Sequence, residues 1–126
     1  MAKIKIAQNP TFSAAVQMPR VGGEPVEVQF EFRYFDRLAL AEMFDRWNQA
    51  REQLSEQAKE GATWAEVTSG EVKLQAAQLK EIVQGWGLED EFTDEAVRQL
   101  VLTCTGAPKA VIEAYQAAYA PARLGN

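Results

Sequence analysis

The sequence predicts an α+β fold, an N-terminal β-hairpin packed on a bundle of about four α-helices. Apolar residues alternate with polar ones over 12–18 and more cleanly over 26–34, a Pro/Gly-rich stretch separates the two runs, and after residue 36 the apolar spacing lengthens to about 3.6. At 126 residues, 47% hydrophobic and 25% charged, the chain has the size and balance of one globular domain. The expected organisation is therefore a single domain over 1–126, with the hairpin at about 10–34, the helical part at about 36–120 and a frayed tail at 121–126.

In the first run Phe12, Ala14, Val16 and Met18 fall on one face. In the second, Val26, Val28, Phe30, Phe32 and Tyr34 oppose Glu27, Gln29, Glu31 and Arg33, so one face is core and the other wet. Between them Pro19 to Pro25 predicts a rather long loop, with prolines that interrupt pairing and Gly22-Gly23 free to take positive φ. Lys3-Ile4-Lys5-Ile6 also alternates and offers a third short strand.

Beyond Tyr34 the stripe Leu40, Phe44, Trp47, Arg51, Leu54, Ala58 defines a long helix, capped by Asp36 and stopped at Lys59 and Gly61. A second stripe, Val72, Ala76, Leu79, Val83, Trp86, predicts a helix from just after Ser69-Gly70 to Gly85-Trp86-Gly87. A third helix starts at Thr93, with Asp94 and Glu95 in its first turn, and runs through Val97, Leu100, Val101 and Cys104 to Gly106. Pro108 opens a fourth, with Val111, Ile112, Tyr115 and Tyr119 inward, until Pro121.

Composition narrows the function classes. With no His and a lone Cys104, the chain has no ordinary nitrogen or sulfur ligand set for a metal and no internal disulfide. A net charge of −5 has the wrong sign for binding nucleic acid. The longest apolar runs, such as Leu38–Ala41, are far too short for a membrane span or a secretory signal, which predicts a soluble cytoplasmic chain. No nucleophile-and-base pair stands at motif spacing, so neither enzyme chemistry nor a cofactor is expected. The acids at Glu89, Asp90, Glu91, Asp94 and Glu95 lack calcium-loop spacing and fit a solvated loop and helix start.

Three side chains are candidate partner contacts. Trp64 lies in Gly61–Glu66, a segment without apolar periodicity, where a large aromatic either plugs the core or marks a contact surface. Arg51 interrupts an apolar stripe, as a snorkelling side chain or an anion contact. Trp86 ends the second stripe, as core or as contact.

Taken in order, these landmarks resemble a known family. Asn9-Pro10-Thr11-Phe12 before an alternating strand, Pro19 and Gly22-Gly23 in the turn, and Val26-x-Val28-x-Phe30-x-Phe32 carry the first half. Gly85-Trp86, Phe92-Thr93-x-Glu95, Gly106-Ala107, Ala110-x-Ile112-x-x-Tyr115 and the Arg123–Asn126 terminus carry the second. Together they resemble the tail assembly chaperones of long-tailed bacteriophages and prophages, although Arg46 to Ser69 contributes nothing to the likeness. The resemblance implies a non-catalytic protein of the bacterial host cytoplasm that binds the long, helical tape-measure protein during tail morphogenesis and is absent from the finished particle. The tail-tube protein is a further partner compatible with it, as is a homo-oligomer. Two alternatives stand beside this reading: a minor structural component of the tail, and a small carboxylate-dependent hydrolase.

Overall fold

The computed structural model describes residues 3–120. The two alternating runs form β1 (Thr11–Arg20) and β2 (Gly23–Arg33), paired antiparallel with Phe12 opposite Phe32 and Val16 opposite Val28. The period of two buries Val16, Met18, Val28, Phe30 and Phe32 on one face. On the other face Ser13 donates to Glu31, and the Gln17 amide donates to Glu27. Val26, near the hairpin tip, is 52% exposed despite its phase.

The expected long loop is a tight turn. Only Val21 and Gly22 separate the strands, with Gly22 at φ 74°, and Arg20 pairs directly with Gly23. The register shifts between Met18 and Arg20, which sets Glu24 and Pro25 against Pro19. Both prolines occupy a bulge, where the ladder does not need their missing N–H groups, so they bend the pairing rather than end it.

No strand forms at Lys3–Ile6, where Ile4 and Ile6 stand in solvent. The third strand is β3 (Val83–Trp86), antiparallel to β2, in the order β1-β2-β3. The second apolar stripe therefore belongs to two elements. Helix α2 (Trp64–Ile82) begins before Ser69-Gly70 and ends before Val83. Its start is a capping box, in which Thr63 Oγ1 accepts from the Glu66 N–H and the Glu66 carboxylate accepts from the Thr63 N–H. Its end is set by Arg33, whose guanidinium donates to the Lys80 carbonyl at 2.8 Å. β-branched Val83 and Gly85 then take the extended pairing that β2 offers.

Helix α1 (Arg37–Lys59) fulfils the long-helix expectation, with Asp36 accepting from the Ala39 N–H and Gly61 at φ 94° beyond its end. It packs chiefly on α2. Glu81 of α2 accepts two bonds from Arg46 and one, at 2.9 Å, from the Trp47 indole. Past Leu54 every α1 residue is exposed, including Ala58, so the apolar stripe is buried only in its first part. Gly70 explains the close approach of the two helices, since a Cβ there would lie 2.6 Å from Leu54 Cδ1.

Helix α3 (Asp94–Thr103) starts at its Thr93 cap, and α4 (Ala107–Ala118) carries Pro108 in its first turn. Cys104, expected on the α3 face, is the residue that closes the helix, and its thiol donates to the Pro19 carbonyl at 3.0 Å. Gly106 also abuts Pro19, so the α3–α4 turn seats against the strand bulge. The tail expected to fray at 121–126, and the stop at Pro121, lie outside the described residues.

α2 is the hub, touching the other three helices and strands β2 and β3, while α4 covers β1. An aromatic cluster joins α4 to the sheet: Tyr115 lies 5.2 Å from Phe32 and 5.1 Å from Tyr119, ring centre to ring centre. Tyr115 donates to the Arg33 carbonyl at 3.0 Å, which leaves Tyr119 to donate to Tyr115 while accepting the Phe35 N–H at 3.0 Å. This chain of bonds pins α4 to the link between β2 and α1.

Candidate partner-binding surface

Trp64 is the first residue of α2, which the capping box fixes in place, and its side chain is 92% exposed. It does not plug the core. It stands at one end of an open groove of about 380 Å³ between α2 and α3. Ala65, Thr68 and Ser69 supply small side chains along the α2 wall, and Val72 continues the apolar lining. Opposite, α3 contributes Arg98 and Leu102, four residues apart and so on one face. Leu102 is 48% exposed. The charged residues lining the groove are Lys73 and Arg98, both basic, in a chain of net charge −5.

The other candidates lie elsewhere. Arg51 reaches from α1 to an ion pair with Glu71 of α2, beside Leu54, Ala58 and Val67. Its polar head thus bridges two helices at the surface. Trp86 lies in β3, half-buried, with its ring against Phe30 and Phe92 and its indole N–H donating to the Asp90 carbonyl at 2.8 Å. It lines a further groove, of about 670 Å³, whose apolar residues include Met18, Leu88 and Leu100 and whose rim carries Asp90, Glu91 and Glu95. The three residues thus border three separate depressions.

Leu102, Lys73 and Arg98 were not singled out by the sequence reading. A signal existed for Leu102, since at 3.6 residues per turn it falls on the side of the helix opposite the stripe Val97, Leu100, Val101, Cys104. For Trp64 the missed signal was Thr63-x-x-Glu66, which marks a helix start and turns an apparent loop residue into a rigidly based one.

Chemically the surface offers contact area and charge. Gln78 is the one buried polar or charged side chain among the described residues, so no carboxylate there sits in the core. No three His, Cys, Asp or Glu residues among them are grouped to hold a metal. No helix among them is long and apolar enough to cross a membrane.

A small α+β protein with open surface grooves, lined by exposed Trp and Leu, has the build of a protein-interaction module. The family model of the phage tail assembly chaperone matches residues 1–126, the whole chain, and the protein belongs to that family. Neither the curated proteins nor the solved structures contain a match.

Proposed function

We propose that this protein is a non-catalytic tail assembly chaperone that binds the tape-measure protein in the bacterial host cytoplasm during tail morphogenesis and leaves before the particle is finished. A long helical client exposes apolar stripes until the tube encloses them, and exposed stripes aggregate. A chaperone covers such stripes reversibly, through a few large apolar contacts on an otherwise polar surface. The observation that carries this reading is Trp64, a fully displayed aromatic on a capped helix beside exposed Leu102, in a chain of the tail-chaperone family.

Coexpression with the tape-measure protein encoded beside this gene tests it. Wild type is expected to raise the soluble fraction of the client and to co-purify with it, and Trp64→Ala to reduce both. Client that stays equally insoluble with and without wild type would sink the chaperone assignment. Rescue by Trp64→Ala as efficient as by wild type would move the contact surface elsewhere. Mass spectrometry of purified tails separates this function from that of a structural tail component, which would remain in the particle.

A further inference from the structure

The lining of the α2–α3 groove specifies more than an apolar client. We infer that it takes an amphipathic α-helix whose apolar stripe is flanked by acidic residues, an inference that rests on the client-binding reading above. From Trp64 to Lys73 the α2 wall advances by nine residue steps, about 13.5 Å at 1.5 Å per residue, which spans about two and a half turns of a docked helix. Small residues along that wall let a helix approach closely, while Trp64 and Leu102 supply the large apolar contacts.

Charge then selects among amphipathic helices. Lys73 makes no ion pair among the described residues, and Arg98 has only a 3.9 Å contact with Glu95, on its own helix. Both cations are exposed and available to a partner carboxylate. The protein's overall negative charge argues for basic partners at long range. At physiological ionic strength, however, screening sets in over about 8 Å, so the two cations in contact with the docked helix outweigh acids elsewhere on the surface. A basic helix in this groove would place like charges against Lys73 and Arg98, and is rejected.

The test uses two synthetic helices that share one apolar stripe at i, i+3, i+4 and i+7, one flanked by Glu and the other by Lys. A scrambled Glu peptide that keeps the charge but loses the periodicity is the control. Binding is followed by fluorescence anisotropy of the labelled peptides. The Glu helix is expected to bind wild type at least tenfold more tightly than the Lys helix or the scramble. The double variant Lys73→Glu/Arg98→Glu is expected to reverse that preference, and Trp64→Ala to weaken binding of either helix. Unchanged melting curves show that these surface variants remain folded.

Preference of wild type for the Lys helix, equal binding of both, or no effect of the double reversal would overturn the inference. The chaperone reading would stand in each of those cases if coexpressed client were still rescued. Loss of client rescue by wild type would remove both.

Discussion

Tyr115 shows most plainly how one side chain holds distant parts of this chain together. Its ring fills the space between Phe12, Phe32 and Tyr119, and its hydroxyl ends a hydrogen-bond chain that begins at the Phe35 N–H. Burial pushes the phenol up from its ordinary value near 10. A folded-state value above the unfolded one stabilises the fold fully below about pH 10, and that contribution is lost as pH rises further. Thermal melts across pH 9–12 are therefore expected to show a falling midpoint that is shallower in Tyr115→Phe. At neutral pH the same substitution orphans the Arg33 carbonyl and breaks the link to Tyr119, at a cost of about 1–2 kcal/mol in denaturant titrations. Cys104 invites a gentler change, because Ser at that position keeps a donor toward the Pro19 carbonyl; Cys104→Ser is expected to stay within about 1 kcal/mol of wild type.

Among the elements, α2 is defined at both ends by side chains rather than by its apolar stripe. Its capping box depresses the Glu66 carboxyl, chiefly through the Thr63 backbone N–H and then through the Thr63 side chain. A depressed folded value means that the helix start gains from Glu66 above the ordinary carboxyl range near 4.3 and loses that gain as pH falls below it. Trp64 belongs to that first turn, so its exposure to iodide quenching is expected to change on acidification in wild type. In Glu66→Gln, which keeps an acceptor but does not titrate, the change is expected to be much smaller. A flat response in both proteins would show that the box does not govern this turn. Glycines test the packing of the helices in a similar way. Gly106→Ala would drive a Cβ to 2.9 Å from the Pro19 ring, which cannot swing aside, and is expected to cost about 1–3 kcal/mol. Gly70→Ala meets only the end of the Leu54 side chain and gains about 1 kcal/mol of helix propensity, so its melting point is expected to move much less.

At the scale of the whole molecule, the sheet face, α2 and α4 share one core, in which Phe30 is 1% exposed. Phe30→Asp places a charge there without a partner, and several kcal/mol of destabilisation is expected, enough to abolish cooperative unfolding. An unchanged melting transition would mean that this face is not the core. The functional surface has the opposite character. Trp64, Leu102, Lys73 and Arg98 contribute little to the packed interior, so changes there are expected to separate client binding from stability, Trp64→Ala lowering client rescue with no comparable loss of melting temperature.

The local code of this chain was sufficient for the elements whose signals repeat. Alternation at Phe12–Met18 and Val26–Phe32 determined the hairpin and its buried face, and period, caps and stops determined α1, α3 and α4, because each signal acts within a few residues of itself. Tertiary contacts decided the rest. Val83 and Trp86 keep a helical phase with Val72 and Leu79, yet they became a strand because β2 presented an unpaired edge and Arg33 closed the helix from 47 residues away. Lys3–Ile6 has a strand pattern and stayed unpaired, its isoleucines exposed with no layer to cover them. Trp64 was visible in the sequence as an anomaly, but the groove beside it needed α3 to arrive with Arg98 and Leu102. That meeting of residues from two helices, distant along the chain, leaves no trace in the periodicity of either.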